Sequence, residues 1–128
     1  MKKTLFLIFA GILFLASCSS DSENSSNPNA IDQSKIYGWW YRNANTQTVS
    51  YKAYYFGEDG VYKQDGTNFG LGMGVGTWEW TNANTILITP NPDGGIAGGT
   101  TSGVVFKVSN DSLVLYSQQL RLSKVEPN

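Results

Sequence analysis

Residues 48–64 read TVSYKAYYFGEDGVYKQ, and this stretch decides the fold. On both sides of Gly57-Glu58-Asp59-Gly60 the chain is rich in Tyr, Phe, Val and Thr, which suit a pleated, half-buried surface. Between them, Gly and Asp tolerate the left-handed angles that a tight link demands. Strands joined so closely have to lie antiparallel and side by side.

Working outward, the same alternation of strand and turn runs through the rest of the chain, with no sustained 3.6-residue apolar period. Strands are predicted over 35–42, 48–56, 61–64, 74–80, 85–89, 103–109, 112–117 and 120–125. Thr81-Asn82-Ala83-Asn84 and Asn110-Asp111 supply further tight turns. Consecutive short connections imply a meander, and eight such strands can close into a barrel that leaves no free edge. The predicted class is therefore all-β: a small eight-stranded antiparallel up-and-down barrel. Strand alternation places Ile36, Gly38 and Trp40, Trp78 and Trp80, Ile86 and Ile88 or Leu87, Val104, Phe106 and Val108, Leu113 and Leu115, and Leu120 and Leu122 inside. An eight-stranded barrel is wide enough to be filled by side chains or to hold one small ligand.

Upstream, the chain has a different character. Lys2 and Lys3 precede an almost unbroken apolar run over residues 5–15. That run is too short to span a bilayer, which takes about 20 apolar residues, and it has the layout of a secretory signal. Leu15-Ala16-Ser17-Cys18 resembles the lipobox of bacterial lipoproteins, which implies a signal peptide over 1–17 and a diacylated Cys18. Cys18 is the single cysteine, so no internal disulfide competes for its sulfur. Two acyl chains hold a protein firmly where one does not. Residues 19–30 are nearly all Ser, Asn, Asp and Glu, with Pro28, and cannot bury a core. A flexible tether is expected over 18–33, then one domain over 34–128. Asp21 and Glu23 are similar to the acidic export signals of Bacteroidetes lipoproteins, which implies an outer-membrane anchor exposed at the cell surface; a plain solvated linker reads the same way.

Composition narrows the chemistry. Without the leader's two lysines, seven basic residues face ten acidic ones, a poor balance for nucleic acid. There is no histidine, and Asp59, Asp65, Asp93 and Asp111 fall in predicted turns where solvated Asp belongs. A nucleophile would lack a base, and a metal would lack its usual His and Cys ligands. Glu79 between Trp78 and Trp80 has the look of a residue flanking a sugar, but one outward Glu between core tryptophans reads identically. No cofactor is expected, and the chain reads as a non-enzyme. Gly70-Leu71-Gly72-Met73-Gly74 lacks the Lys-Ser/Thr and the helix of a nucleotide loop.

Gly38-Trp39-Trp40 resembles the Gly-x-Trp signature of the lipocalins. Phe56-Gly57-Glu58-Asp59-Gly60-Val61-Tyr62 followed by Gly76-Thr77-Trp78 is similar to small lipocalin-like domains of Bacteroidetes lipoproteins. The resemblance implies a barrel from Ile36 to about Val125, with an arginine of the last strand lying across the signature tryptophan. Gly38, Trp40 and Arg121 take those places. A guanidinium over an indole face gains about 0.5 to 2 kcal/mol.

Two functions are open. One is the binding of a small apolar ligand at a mouth formed by the glycine-rich stretches 65–72 and 90–102. The other is a protein-interaction module with a filled barrel, such as a hydrolase inhibitor or a subunit of an outer-membrane assembly. Candidate surface residues are Trp39, Tyr54, Tyr55, Trp78 and Trp80, since Tyr and Trp combine an apolar body with a hydrogen-bonding tip; ordinary β-propensity places aromatics on strands as well. Asp111-Ser112-Leu113 is similar to the O-glycan acceptor of Bacteroidetes, which implies modification at Ser112; a plain hairpin turn reads the same.

Overall fold

The computed structural model describes residues 30–42, 51–96, 98–116 and 120–128. The expectations for the leader and for Cys18 lie outside these residues. Eight strands, β1 (Gly38–Arg42), β2 (Ala53–Phe56), β3 (Val61–Asp65), β4 (Met73–Trp80), β5 (Thr85–Pro90), β6 (Thr101–Val108), β7 (Ser112–Leu115) and β8 (Leu120–Ser123), follow one another around a closed antiparallel barrel. Its seam is the pairing of Tyr41 with Ser123 and of Arg42 with Leu122. Every strand edge is thereby paired, which removes the template for edge-to-edge association.

Residues 35–36 depart from the expected strand. A 3-10 turn spans Gln33–Ile36, because the Asp32 carboxylate accepts from both Ser34 N–H (3.2 Å) and Ser34 Oγ (2.6 Å) and satisfies the first turn. Gln33 Nε2 donates to Asn82 O at 3.0 Å, and Ile31 packs on the core. Packing onto the barrel thus begins at Ile31, inside the stretch expected to be tether.

Antiparallel order gives the barrel two unlike ends. At the lower end lie the tight β2–β3, β4–β5 and β6–β7 links and the Gln33–Ile36 turn. At the upper end lie the β1–β2, β3–β4, β5–β6 and β7–β8 connections, so the two glycine-rich stretches share an end. Trp40, Phe56, Ile36, Ile86, Leu113, Leu115 and Val105 are fully buried between them.

One strand reverses the expected faces. Val105 is inside, while Val104 and Phe106 are 38% and 46% exposed. The cause is a bulge: Val105 opposes Leu115 and Lys107 opposes Val114, which leaves Phe106 as the extra residue. Parity shifts there, so Val108 packs on the core as expected although Val104 and Phe106 do not.

Candidate functional site

The lower end is a structural lock. Trp40, wholly buried, donates its indole N–H to Ile36 O at 2.6 Å, tying strand to turn. The Lys124 ammonium stands 4.0 Å from the Trp40 ring centroid and donates to Tyr37 O. Gly38 has φ +100°, and a Cβ there would come within 3.2 Å of Lys124 Nζ, so only glycine serves. Burial lowers the Lys124 pKa from the ordinary lysine value. The cation over the indole is therefore Lys124 and not Arg121. Leu120 and Leu122 point inward, so Arg121 between them faces out and is exposed, while Lys124 keeps the inward parity just past the end of β8.

The five aromatics expected to form one surface are divided by the same period of two. Trp39 and Tyr55 pair across β1 and β2 on the outer wall, ring centroids 5.2 Å apart, with Tyr41 stacked at 6.5 Å and the Lys63 ammonium 5.5 Å from the Tyr55 ring. Trp78 is inside the lower barrel, its N–H given to Gly57 O at 2.9 Å, with Phe56 edge-on at 5.2 Å. Trp80 packs beside it at 6.0 Å, its buried indole nitrogen without a hydrogen-bond partner among the described residues. Tyr54 is also inside, directly across from Trp40 in the β1–β2 register, with its hydroxyl at Tyr51 N–H toward the other end.

That upper end holds what the sequence did not disclose. Tyr54, Tyr62 and Gln64 are buried, and Tyr51 and Tyr116 half-buried, inside a barrel that is otherwise aliphatic and aromatic. Tyr62 Oη donates to Gln64 Oε1 at 3.2 Å. Tyr54 Oη accepts from Tyr51 N–H at 3.3 Å, which leaves its own proton to donate. Tyr116 has φ +51°, the left-handed region that costs a bulky side chain energy. Its ring lies against Gly103, where a Cβ would meet Tyr116 Cε1 at 2.8 Å. From the β5–β6 connection Ile96 reaches across Gly74 toward Gln64. Phe69 and Leu71 are exposed on the β3–β4 connection and Met73 at the start of β4, with Phe69 edge-on to Tyr51 at 5.5 Å.

Electrostatics reflects this crowding. Burial pushes Tyr54 up to about 12; the nearby phenols of Tyr116 and Tyr51 add to the rise, while the Tyr51 N–H and Arg42 oppose it. Burial raises Tyr62 as well, helped by Tyr54, Tyr116 and Tyr51. Tyr116 is raised by burial alone. Phenols that stay protonated in this way are hydrogen-bond donors across the physiological range.

The remaining expected positions are spread out. Asp59 and Asp65 brace their own turns through Val61 N–H and Thr67, and Asp111 accepts from Ser109 Oγ. Glu79 is exposed opposite Leu87. Among the described residues no three His, Cys, Asp or Glu gather as metal ligands. A depression of about 590 Å³ lies outside the barrel, where Asn91 and Gly94 pair with Val75. Its walls are Met73, Val75, Asn91, Pro92, Asp93, Gly94 and Gly95. Against family models, curated proteins and solved structures, the chain has no match.

Proposed function

We propose that this chain is a non-enzymatic lipoprotein of the bacterial envelope, anchored in the outer membrane through lipid on Cys18, whose lipocalin-like barrel binds a small molecule at its upper end. The observation that carries the binding role is the contrast between the two ends. The lower one is plugged by the Gln33–Ile36 turn, Trp40 and Lys124. The upper one gathers Tyr51, Tyr54, Tyr62, Gln64 and Tyr116 behind an apolar rim. A few convergent polar groups within apolar walls are the usual make-up of a small-molecule site. Strain at Tyr116 fits the same role, since costly backbone angles cluster at ligand clamps. Native mass spectrometry of protein isolated from its host without denaturant tests this. A non-covalent adduct of one small molecule per chain is expected, and protein that is always bare would remove the carrier role.

A second function has its own support. The lower barrel is filled, and Val104 and Phe106 stand exposed on the outer wall with Trp39, Tyr41 and Tyr55 elsewhere on it, an arrangement suited to a protein partner.

The anchor rests on the leader and Leu15-Ala16-Ser17-Cys18. Cys18→Ser should accumulate as uncleaved precursor. A mutant that still takes up radioactive palmitate and fractionates with the outer membrane would disprove the lipid assignment. Glycosylation at Ser112 rests on Asp111-Ser112-Leu113 alone. There Ser112 is half-buried, its N–H donated to Ser109 Oγ at 3.2 Å. Intact-mass measurement of host-derived protein should show a sugar increment that Ser112→Ala abolishes, and an unmodified mass rejects it.

A further inference from the structure

The upper end holds a cation. Arg42 closes β1 with the parity of Gly38 and Trp40, so its side chain belongs to the mouth side of the barrel, and it is half-buried there. Its backbone N–H donates to Lys52 O, which fixes it beside the start of β2, above Tyr54. Among the described residues no carboxylate lies within ion-pairing distance of it: the two ion pairs there join Lys35 to Asp32 and Lys52 to Glu126. The sequence places no carboxylate in the flanking connections either, since residues 43–50 read NANTQTVS and 117–119 read SQQ. Of the carboxylates on the other two connections, Asp65 is held by Thr67, and Asp93 lines the trough outside the barrel.

A partly desolvated guanidinium is stable when an anion meets it. Near it is the Tyr54 hydroxyl, itself close to Tyr116, and such a phenol strengthens as a donor when the acceptor is charged. Tyr54 is close enough that Arg42 favours its ionised form. The single positive charge matches a monoanion, where a phosphate dianion would call for more. At the same end, Phe69 stands edge-on to Tyr51 and Ile96 lies over Gly74 near Gln64, apolar surface that matches an apolar body. Depth is limited, because Phe56, Trp40 and Leu113 fill the barrel beneath.

We infer that the mouth takes a small organic monocarboxylate, its carboxylate held by Arg42 and the Tyr54 and Tyr116 hydroxyls and its apolar body against Phe69 and Ile96. This rests on the proposal that the upper end is the binding site, and it replaces a purely apolar ligand by an amphipathic acid.

Three probes with one skeleton and different charge test it: phenylacetate, 2-phenylethanol and 2-phenylethylammonium, titrated calorimetrically into purified full-length protein. Phenylacetate should bind at least about tenfold tighter than the alcohol, a typical gain from a charge-assisted contact, and the ammonium should not bind. Arg42→Met, which keeps the apolar stem, should bring phenylacetate down to the affinity of the alcohol, and Arg42→Lys should restore part of the preference. Tyr54→Phe should weaken the acid and leave the alcohol unchanged. Equal affinity for acid and alcohol, or an acid preference that survives Arg42→Met in a protein of unchanged melting temperature, overturns the carboxylate inference while leaving the mouth as a site. Absence of saturable binding by all three probes overturns the carboxylate inference and counts against the mouth itself.

Discussion

Trp40→Ala should lose about 3 to 5 kcal/mol of stability, the usual cost of truncating a large buried aromatic and leaving its cavity. A domain of this size has about 5 to 15 kcal/mol in total, so the variant should be largely unfolded at 37 °C or melt far below wild type. Three ties are cut at once: the indole N–H bond to Ile36 O, the packing that plugs the lower end, and the ring under the Lys124 ammonium. Lys124→Met should cost less, about 0.5 to 2 kcal/mol, the worth of a partly desolvated cation over an indole. Because both report on one contact, a denaturant double-mutant cycle of Trp40→Phe with Lys124→Met should be non-additive, whereas Trp40→Phe with Arg121→Met should add. Additivity with Lys124 and coupling to Arg121 would restore the arginine to the lock.

Alkaline pH should unfold the protein cooperatively. In Tyr54 the folded-state pKa, about 12, lies above the ordinary phenol value of 10.0, and Tyr62 is raised in the same direction. Between those values the folded state binds more protons than the unfolded chain, so stability is complete below about pH 10 and falls as pH rises. Each such tyrosine removes about 1.4 kcal/mol per pH unit in that window. Two of them remove about 5 kcal/mol by pH 12, enough to consume much of a small domain's stability. Lys124 acts with the opposite sign, since its pKa is lowered and the unfolded chain binds the extra proton, but it is one group against two. Absorbance at 295 nm should show the buried Tyr54 and Tyr62 phenols ionising only together with loss of the near-ultraviolet circular dichroism. All seven tyrosines titrating smoothly, with the fold intact, would contradict the buried phenol cluster.

The strand count and the meander were legible because they depend on local rules: alternation, aromatic and β-branched content, and turn chemistry at residues 57–60, 81–84 and 110–111. Errors arose where a face depends on something that sequence period does not carry. The bulge at Phe106 flips parity in the middle of β6, and nothing but the exposed Lys107 beside it hints at the change. The Asp32-x-Ser34 spacing is a capping signal that could have marked the turn at residues 33–36. Parity also assigns Arg121 to the outside once Leu120 and Leu122 are inside, and the family expectation obscured it. The upper-end cluster is different in kind. It joins Tyr51 from just before β2, Tyr54 from β2, Tyr62 and Gln64 from β3 and Tyr116 from just past β7, so it exists only once register and closure are known. Gln64, a polar side chain at an inward position, was the one local sign of it.

Location of the ligand is the most direct test of a barrel closed at one end and receptive at the other. Amide chemical-shift mapping of isotope-labelled protein titrated with phenylacetate measures it. Shifts should concentrate at Arg42, Tyr54, Tyr62, Gln64 and Tyr116 and leave Trp39, Tyr55 and Phe106 unmoved. Shifts confined to Trp39, Tyr55 and Phe106 would place the working surface on the outer wall and contradict the account.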